Sequence, residues 1–139
     1  MGSALAVASV IGAAIAIQVG IVGRTGERFN VLAISTVLQF GGVAAGTVWM
    51  AVRSGWGEVA AIARLWWWFP LGVVGWLLVA GLGFASARVG VATALAVAVT
   101  SQLGVGLVID SGNGVRVGMQ SLLGLAFLVA GTVLVTTRP

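Results

Sequence analysis

Five apolar stretches fill almost the whole of this chain: residues 3–22, 31–52, 66–87, 89–109 and 117–135. None of them contains Asp, Glu, Lys or Arg, and the charged side chains fall in the gaps between them. A helix that crosses the hydrocarbon of a bilayer needs about 20 mostly apolar residues, so each stretch is long enough to cross once. The solvent is thereby fixed before any other inference. The expected fold is all-α: a polytopic membrane protein of five transmembrane helices, with residues 1–139 forming one five-helix domain. An odd number of crossings puts the two termini on opposite faces.

Composition agrees. Of 139 residues 60% are hydrophobic and 7% charged, and mean hydropathy is +1.15. A soluble domain carries roughly 25% charged residues. The first stretch has no basic segment before it and is longer than the apolar run of a secretory signal, so it is expected to stay as a helix. Cysteine and histidine are absent. This removes disulfides, thiol chemistry, imidazole ligation of haem and the usual near-neutral titrating group. The serines have no base beside them, so an enzyme is not expected, and no cofactor or metal site is implied. The pI near 11.9 reflects seven basic residues against three acids. The arginines are scattered singly through loops and make no patch for nucleic acid.

The connections are short. Residues 23–30 (GRTGERFN) join spans one and two, and residues 53–65 form the longest link. Arg88 alone turns span three into span four. Residues 110–116 (DSGNGVR) join spans four and five, with Gly and Asn supplying turn geometry. With five crossings, one face carries Arg53, Arg64 and Arg116, and the other carries Arg24, Arg28, Arg88 and Arg138. Basic residues normally accumulate on the cytoplasmic side and set orientation. Three against four is almost no bias. Two readings follow: one orientation set by finer detail, or dual topology, with copies inserted both ways and paired antiparallel about a two-fold axis in the membrane plane. A sister chain of opposite bias would make that pair a heterodimer.

Glycine is dense. Gly42 and Gly46 form a GxxxG step, and Gly72 and Gly75 lie in span three. Small residues let membrane helices approach closely, so these four are expected at helix contacts. Polar groups inside the spans are few: Gln18, Gln39, and in span four Thr93, Thr100, Ser101 and Gln102. They either bond between helices or line a neutral cavity near the midplane. Trp49, Trp56, Trp66, Trp67 and Trp68 cluster around the second loop, as an interfacial aromatic belt does. Trp76 lies half way along span three and is a candidate cavity wall. No carboxylate sits within a span. Glu27, Arg88 and Asp110 are candidates for charges at cavity mouths, or are solvated charges at helix ends.

Residues 16–26 (AIQVGIVGRTG) resemble the opening helix of the YdcZ-like family, a five-helix branch of the drug/metabolite transporter superfamily. The likeness continues through Trp66-Trp67, residues 87–93 (ARVGVAT), Ser101-Gln102-Leu103 and Leu107-Val108-Ile109-Asp110. The family pattern often carries an asparagine near Val22 and a small residue followed by proline near Val31, and this chain has neither. The resemblance implies a multi-pass protein of the bacterial inner membrane. It also implies an antiparallel pair, homo- or heteromeric, related to EamA-like ten-helix transporters built of two inverted halves. Gln18, Arg88, Gln102 and Asp110 are the positions it carries over. The expected function is transport of a small molecule by alternating access around a midplane cavity. The competing reading is a non-transporting scaffold or lipid-handling subunit of a larger complex.

Overall fold

A computed structural model describes residues 2–53 and 55–137, and contains six helices and no strand among them. They are α1 (Gly2–Thr25), α2 (Val31–Arg53), α3 (Trp56–Ala63), α4 (Trp68–Val89), α5 (Val91–Gly112) and α6 (Met119–Thr136). Five of the six are long and apolar enough to cross a membrane, and α3 is the exception. Arg138, which entered the arginine balance, lies outside the described residues.

Local chemistry sets the helix ends. Asn30 caps α2, its Oδ1 accepting the Leu32 backbone N–H at 2.9 Å, which satisfies a donor the helix leaves free. The start of α4 is set by Pro70. A proline inside a helix collides with the carbonyl four residues back and offers it no N–H, so Trp66 cannot be helical with it. The span expected from residue 66 therefore begins at Trp68. The Trp68 indole N–H donates to the Ala63 carbonyl at 2.9 Å and holds the elbow between α3 and α4. The loop expected over residues 53–65 is thus largely the eight-residue helix α3. That length gives about 12 Å of rise, far too short to cross a bilayer.

The turn between α4 and α5 also moves. Arg88 remains inside α4, and the reversal is made by Gly90 alone, at φ 83° and ψ 155°. This conformation is open essentially only to glycine. Gly90 caps both helices: its N–H donates to the Ser86 carbonyl at 3.0 Å, and its carbonyl accepts from Ala94 at 3.1 Å. Arg88 lies back over the Phe84 ring, its guanidinium carbon 3.6 Å from the ring centre. At the far end of α5, Gly114 takes φ 77°. The Val115 N–H reaches the Asp110 carbonyl at 2.9 Å, and the Gly114 N–H reaches that of Ser111 at 3.2 Å. These are the paired bonds of a Schellman cap.

Helix α4 is the hub, packing on α1, α2 and α5, while α6 leans on α5. The buried residues are small and sit near one end of the bundle: Val19, Val22 and Gly23 of α1 against Ala80, Gly83 and Ser86 of α4, with Ser35 of α2 and Ala94 of α5. A side chain on Gly83 would strike Val22, and one on Gly23 would strike the Ser86 hydroxyl. The two backbones therefore meet as closely as glycine permits. Ser86 bonds across the crossing, its Oγ lying 3.2 Å from the Val19 carbonyl and 3.0 Å from its own helix's Gly83 carbonyl.

The close approach is not where the sequence suggested. Within one chain, Gly42, Gly46, Gly72 and Gly75 have nothing within 4 Å of an added Cβ. Beyond Thr36, α2 buries no residue. Its anchor is the second turn: Ser35, 0% exposed, donates to the Trp76 carbonyl at 2.7 Å. The Trp76 indole in turn donates to Thr36 at 3.0 Å.

Candidate functional site

Below the α1–α4 crossing the helices part and leave a cleft of about 340 Å³ between α1, α4 and α5. Chain direction fixes its layout. One end is formed by Val22, Leu82 and Leu95, next to the crossing, and the other by Gly12, Gly75 and Gln102. The lining covers residues 75 to 82 of α4 and 95 to 102 of α5. At 1.5 Å per residue this is about 10 Å of depth, a third of the hydrocarbon thickness. The crossing closes the cleft toward the face that carries the α4–α5 turn. The cleft extends from there toward the face that carries α3.

Two polar side chains line it, Gln18 from α1 and Gln102 from α5, both exposed in the single chain. Gln102 is eleven residues into the 22-residue α5, at the middle of the helix. Gln18 is seven residues from the end of α1. Among the described residues neither amide bonds to another protein group, and no buried side-chain polar atom is left without a partner. The rest of the wall is aliphatic or glycine. Because Gly12 and Gly75 both have open space where a Cβ would stand, these two positions widen the cleft.

The other expected cavity residues lie elsewhere. Trp76 follows Gly75 but turns to α2, as described above, and is not in the cleft lining. Gln39 is exposed on the free stretch of α2. Thr100 faces α6: its Oγ1 is 2.7 Å from that of Thr132, and both hydroxyls reach the Ala96 carbonyl, at 2.8 and 3.3 Å. Two protons serve three contacts, and the two shorter distances fit Thr132 donating to Thr100 and Thr100 to Ala96. Thr93 is half-buried, and the Ser101 hydroxyl donates back to Ala98 at 2.8 Å. Gly75, expected to pack, lines the cleft. Ser35, Ser86 and Thr132 were not singled out from the sequence. A hydroxyl three residues from a glycine, as in Gly83–Ser86, was the available signal for one of them.

A second, more polar cavity of about 410 Å³ lies beyond the crossing, between the end of α1 and the α4–α5 turn. Arg24, Glu27 and Ser86 lie in its wall. Of the three candidate mouth charges, Glu27 is there, while Arg88 and Asp110 are exposed and outside both linings. Among the described residues no group of His, Cys, Asp or Glu is arranged to hold a metal ion.

Residues 3–134 match the family described as "Putative inner membrane exporter, YdcZ". The match covers nearly the whole chain, and with five membrane-crossing helices the chain belongs to this family of inner-membrane proteins. No curated protein and no solved structure matches it.

Proposed function

We propose that this YdcZ-family chain is one half of a small-molecule transporter. Two chains, either copies or a copy and a sister, pack in opposite orientations and alternate access to a shared cavity near the midplane. The observation that carries this reading is the cleft between α1, α4 and α5, which is lined by the amides of Gln18 and Gln102 and is closed toward one face by the α1–α4 crossing. A partner inverted in the membrane would present the same closure toward the other face, as exchange between two equivalent states requires. Two further features support it. A single chain leaves the outer half of α2 without a neighbour, and the described arginines, three on one face and three on the other, give little orientational bias.

The test has two arms. A reporter fused to the C-terminus should appear on both faces of the membrane, or on one face only when a sister chain is present. One added Arg in a loop should tip that population. A strictly one-sided result without a partner chain would sink the homodimer. In the second arm, liposomes holding the purified protein should release members of a panel of uncharged, cationic and anionic solutes saturably, and Gly75→Leu should stop the release. Correctly folded protein that moves nothing in the panel would favour the scaffold reading.

A further inference from the structure

We infer that the α1–α4–α5 cleft takes a small, uncharged, mainly apolar solute bearing one hydrogen-bond donor and one acceptor, held between the amides of Gln18 and Gln102. This inference rests on the transport reading and adds the chemistry of what is carried.

The argument starts from charge. No Asp, Glu or Arg lies in the lining. The nearest ionic side chains along each wall are Arg24, six residues past Gln18, Arg88, six past Leu82, and Asp110, eight past Gln102. At 1.5 Å per residue these are about 9 to 12 Å away along their helices, on the helix ends. An ion in the cleft would lose its hydration and find no opposite charge, a cost that an amide hydrogen bond does not recover. The lining also has no aromatic ring, so the usual alternative for an organic cation, the face of a Trp, is missing. Trp76, the one ring at this level of α4, is committed to Thr36.

Next come the amides. Each offers one acceptor oxygen and two donor hydrogens, and neither is bonded within the chain. In a bilayer an unpaired amide is costly, so two of them lining one apolar cleft leave recognition unspent for an occupant. Its size is bounded as well. A cleft of about 340 Å³ sits at the low end of the roughly 300–1,000 Å³ range of ligand sites and suits a one-ring molecule. Its flank is open, with Ile15, Leu78 and Val99 41, 53 and 47% exposed. In the antiparallel pair this flank faces the inverted partner, and an identical partner brings the same charge-free lining to the shared cavity.

Three molecules sharing one ring separate the possibilities: benzamide, uncharged; benzylammonium, a cation; and benzoate, an anion. Binding to the full chain in lipid nanodiscs is followed by saturation-transfer NMR with competition. Benzamide should bind saturably and at least about tenfold more tightly than either ion. Gln18→Leu and Gln102→Leu should each weaken it about five- to tenfold, the usual effect of losing one neutral hydrogen bond. Gly75→Leu should abolish it. The site has room for that side chain, since nothing lies within 4 Å of a Cβ there, and Gly12→Leu is the second plug should the first misfold. An ion that binds as tightly as benzamide and is displaced by Gly75→Leu overturns the charge inference while leaving the transport reading intact. Benzamide binding that survives both Gly75→Leu and Gln102→Leu is partition into lipid and overturns the site. Absence of saturable binding by all three overturns it too, while release from liposomes tests the transport reading independently.

Discussion

Two glycines of α4, eight residues apart, should respond in opposite senses to the same substitution. Replacing Gly by Ala within a helix gains up to about 1 kcal/mol of helix propensity at either site. At Gly75 nothing else changes, because the new methyl meets nothing within 4 Å. At Gly83 the methyl falls on Val22 Cγ1 and lies 3.3 Å from Val22 Cβ. Val22 is 1% exposed, so it cannot swing aside and the two helices must separate. Overpacking of this kind costs about 1–3 kcal/mol. Gly75→Ala should therefore be neutral or stabilising by up to about 1 kcal/mol, and Gly83→Ala destabilising by up to about 2. Subtracting one from the other cancels the propensity gain and leaves the overlap, a gap of about 1–3 kcal/mol. The two variants and the parent can be unfolded by SDS in mixed micelles, with loss of helicity as the signal. Equal midpoints, or a Gly83→Ala chain more stable than Gly75→Ala, would mean that α1 and α4 do not cross at this point.

Gly90→Ala should lower stability by about 1–3 kcal/mol, because φ 83° with ψ 155° excludes a side chain; thermal unfolding in detergent checks it, with Gly118→Ala, at the ordinary φ of −78°, as the control. The Thr100–Thr132 contact, at 2.7 Å, should show a coupling near 0.6 kcal/mol and at most about 1.7 in a double-mutant cycle with valine. Zero coupling would remove the polar tie between α5 and α6. Trp56 and Trp66, 50 and 84% exposed, should be quenched by lipids brominated near the headgroup more than by lipids brominated at the chain end. The reverse order would bury α3 in the hydrocarbon.

The residues themselves made part of this structure legible. Five charge-free stretches define five crossings because a bilayer tolerates neither embedded charge nor open backbone. Their boundaries then shifted by two residues at α4 and α5. Both reasons lay in the sequence: Pro70 forbids a helix reaching back to Trp66, and Gly90, not Arg88, can make a one-residue reversal. Gln18 and Gln102 were identifiable as rare amides in apolar helices, and they line the same cleft. Gln39, Trp76 and Thr100 carried the same kind of signal and went to other places, because polarity says that a side chain needs a partner without saying which helix provides it. The glycines show the same limit. Gly23 and Gly83 make the close approach, while the more conspicuous GxxxG of α2 meets nothing within the chain. A spacing motif marks a helix face that can be approached, and only the packing of the other helices decides whether it is. Helix α3 was hidden because its eight residues, WGEVAAIA, lie between the tryptophans at 49 and 66–68 and read equally well as part of an aromatic loop.

The chain has no cysteine, so a single Gln102→Cys substitution gives a labelling site without background. Phe127→Cys is its natural control: position 127 lies eight residues into α6 and is 77% exposed on an apolar face, at a comparable distance from the same end of the bundle. A small uncharged maleimide added to protein in liposomes should modify Cys at position 102 at least about tenfold faster than at 127, because the reactive thiolate forms only where water reaches it. Adding Gly75→Leu should slow the reaction at 102 alone. Equal rates at the two positions, or a rate at 102 untouched by Gly75→Leu, would mean that no solute-accessible cleft reaches the middle of α5.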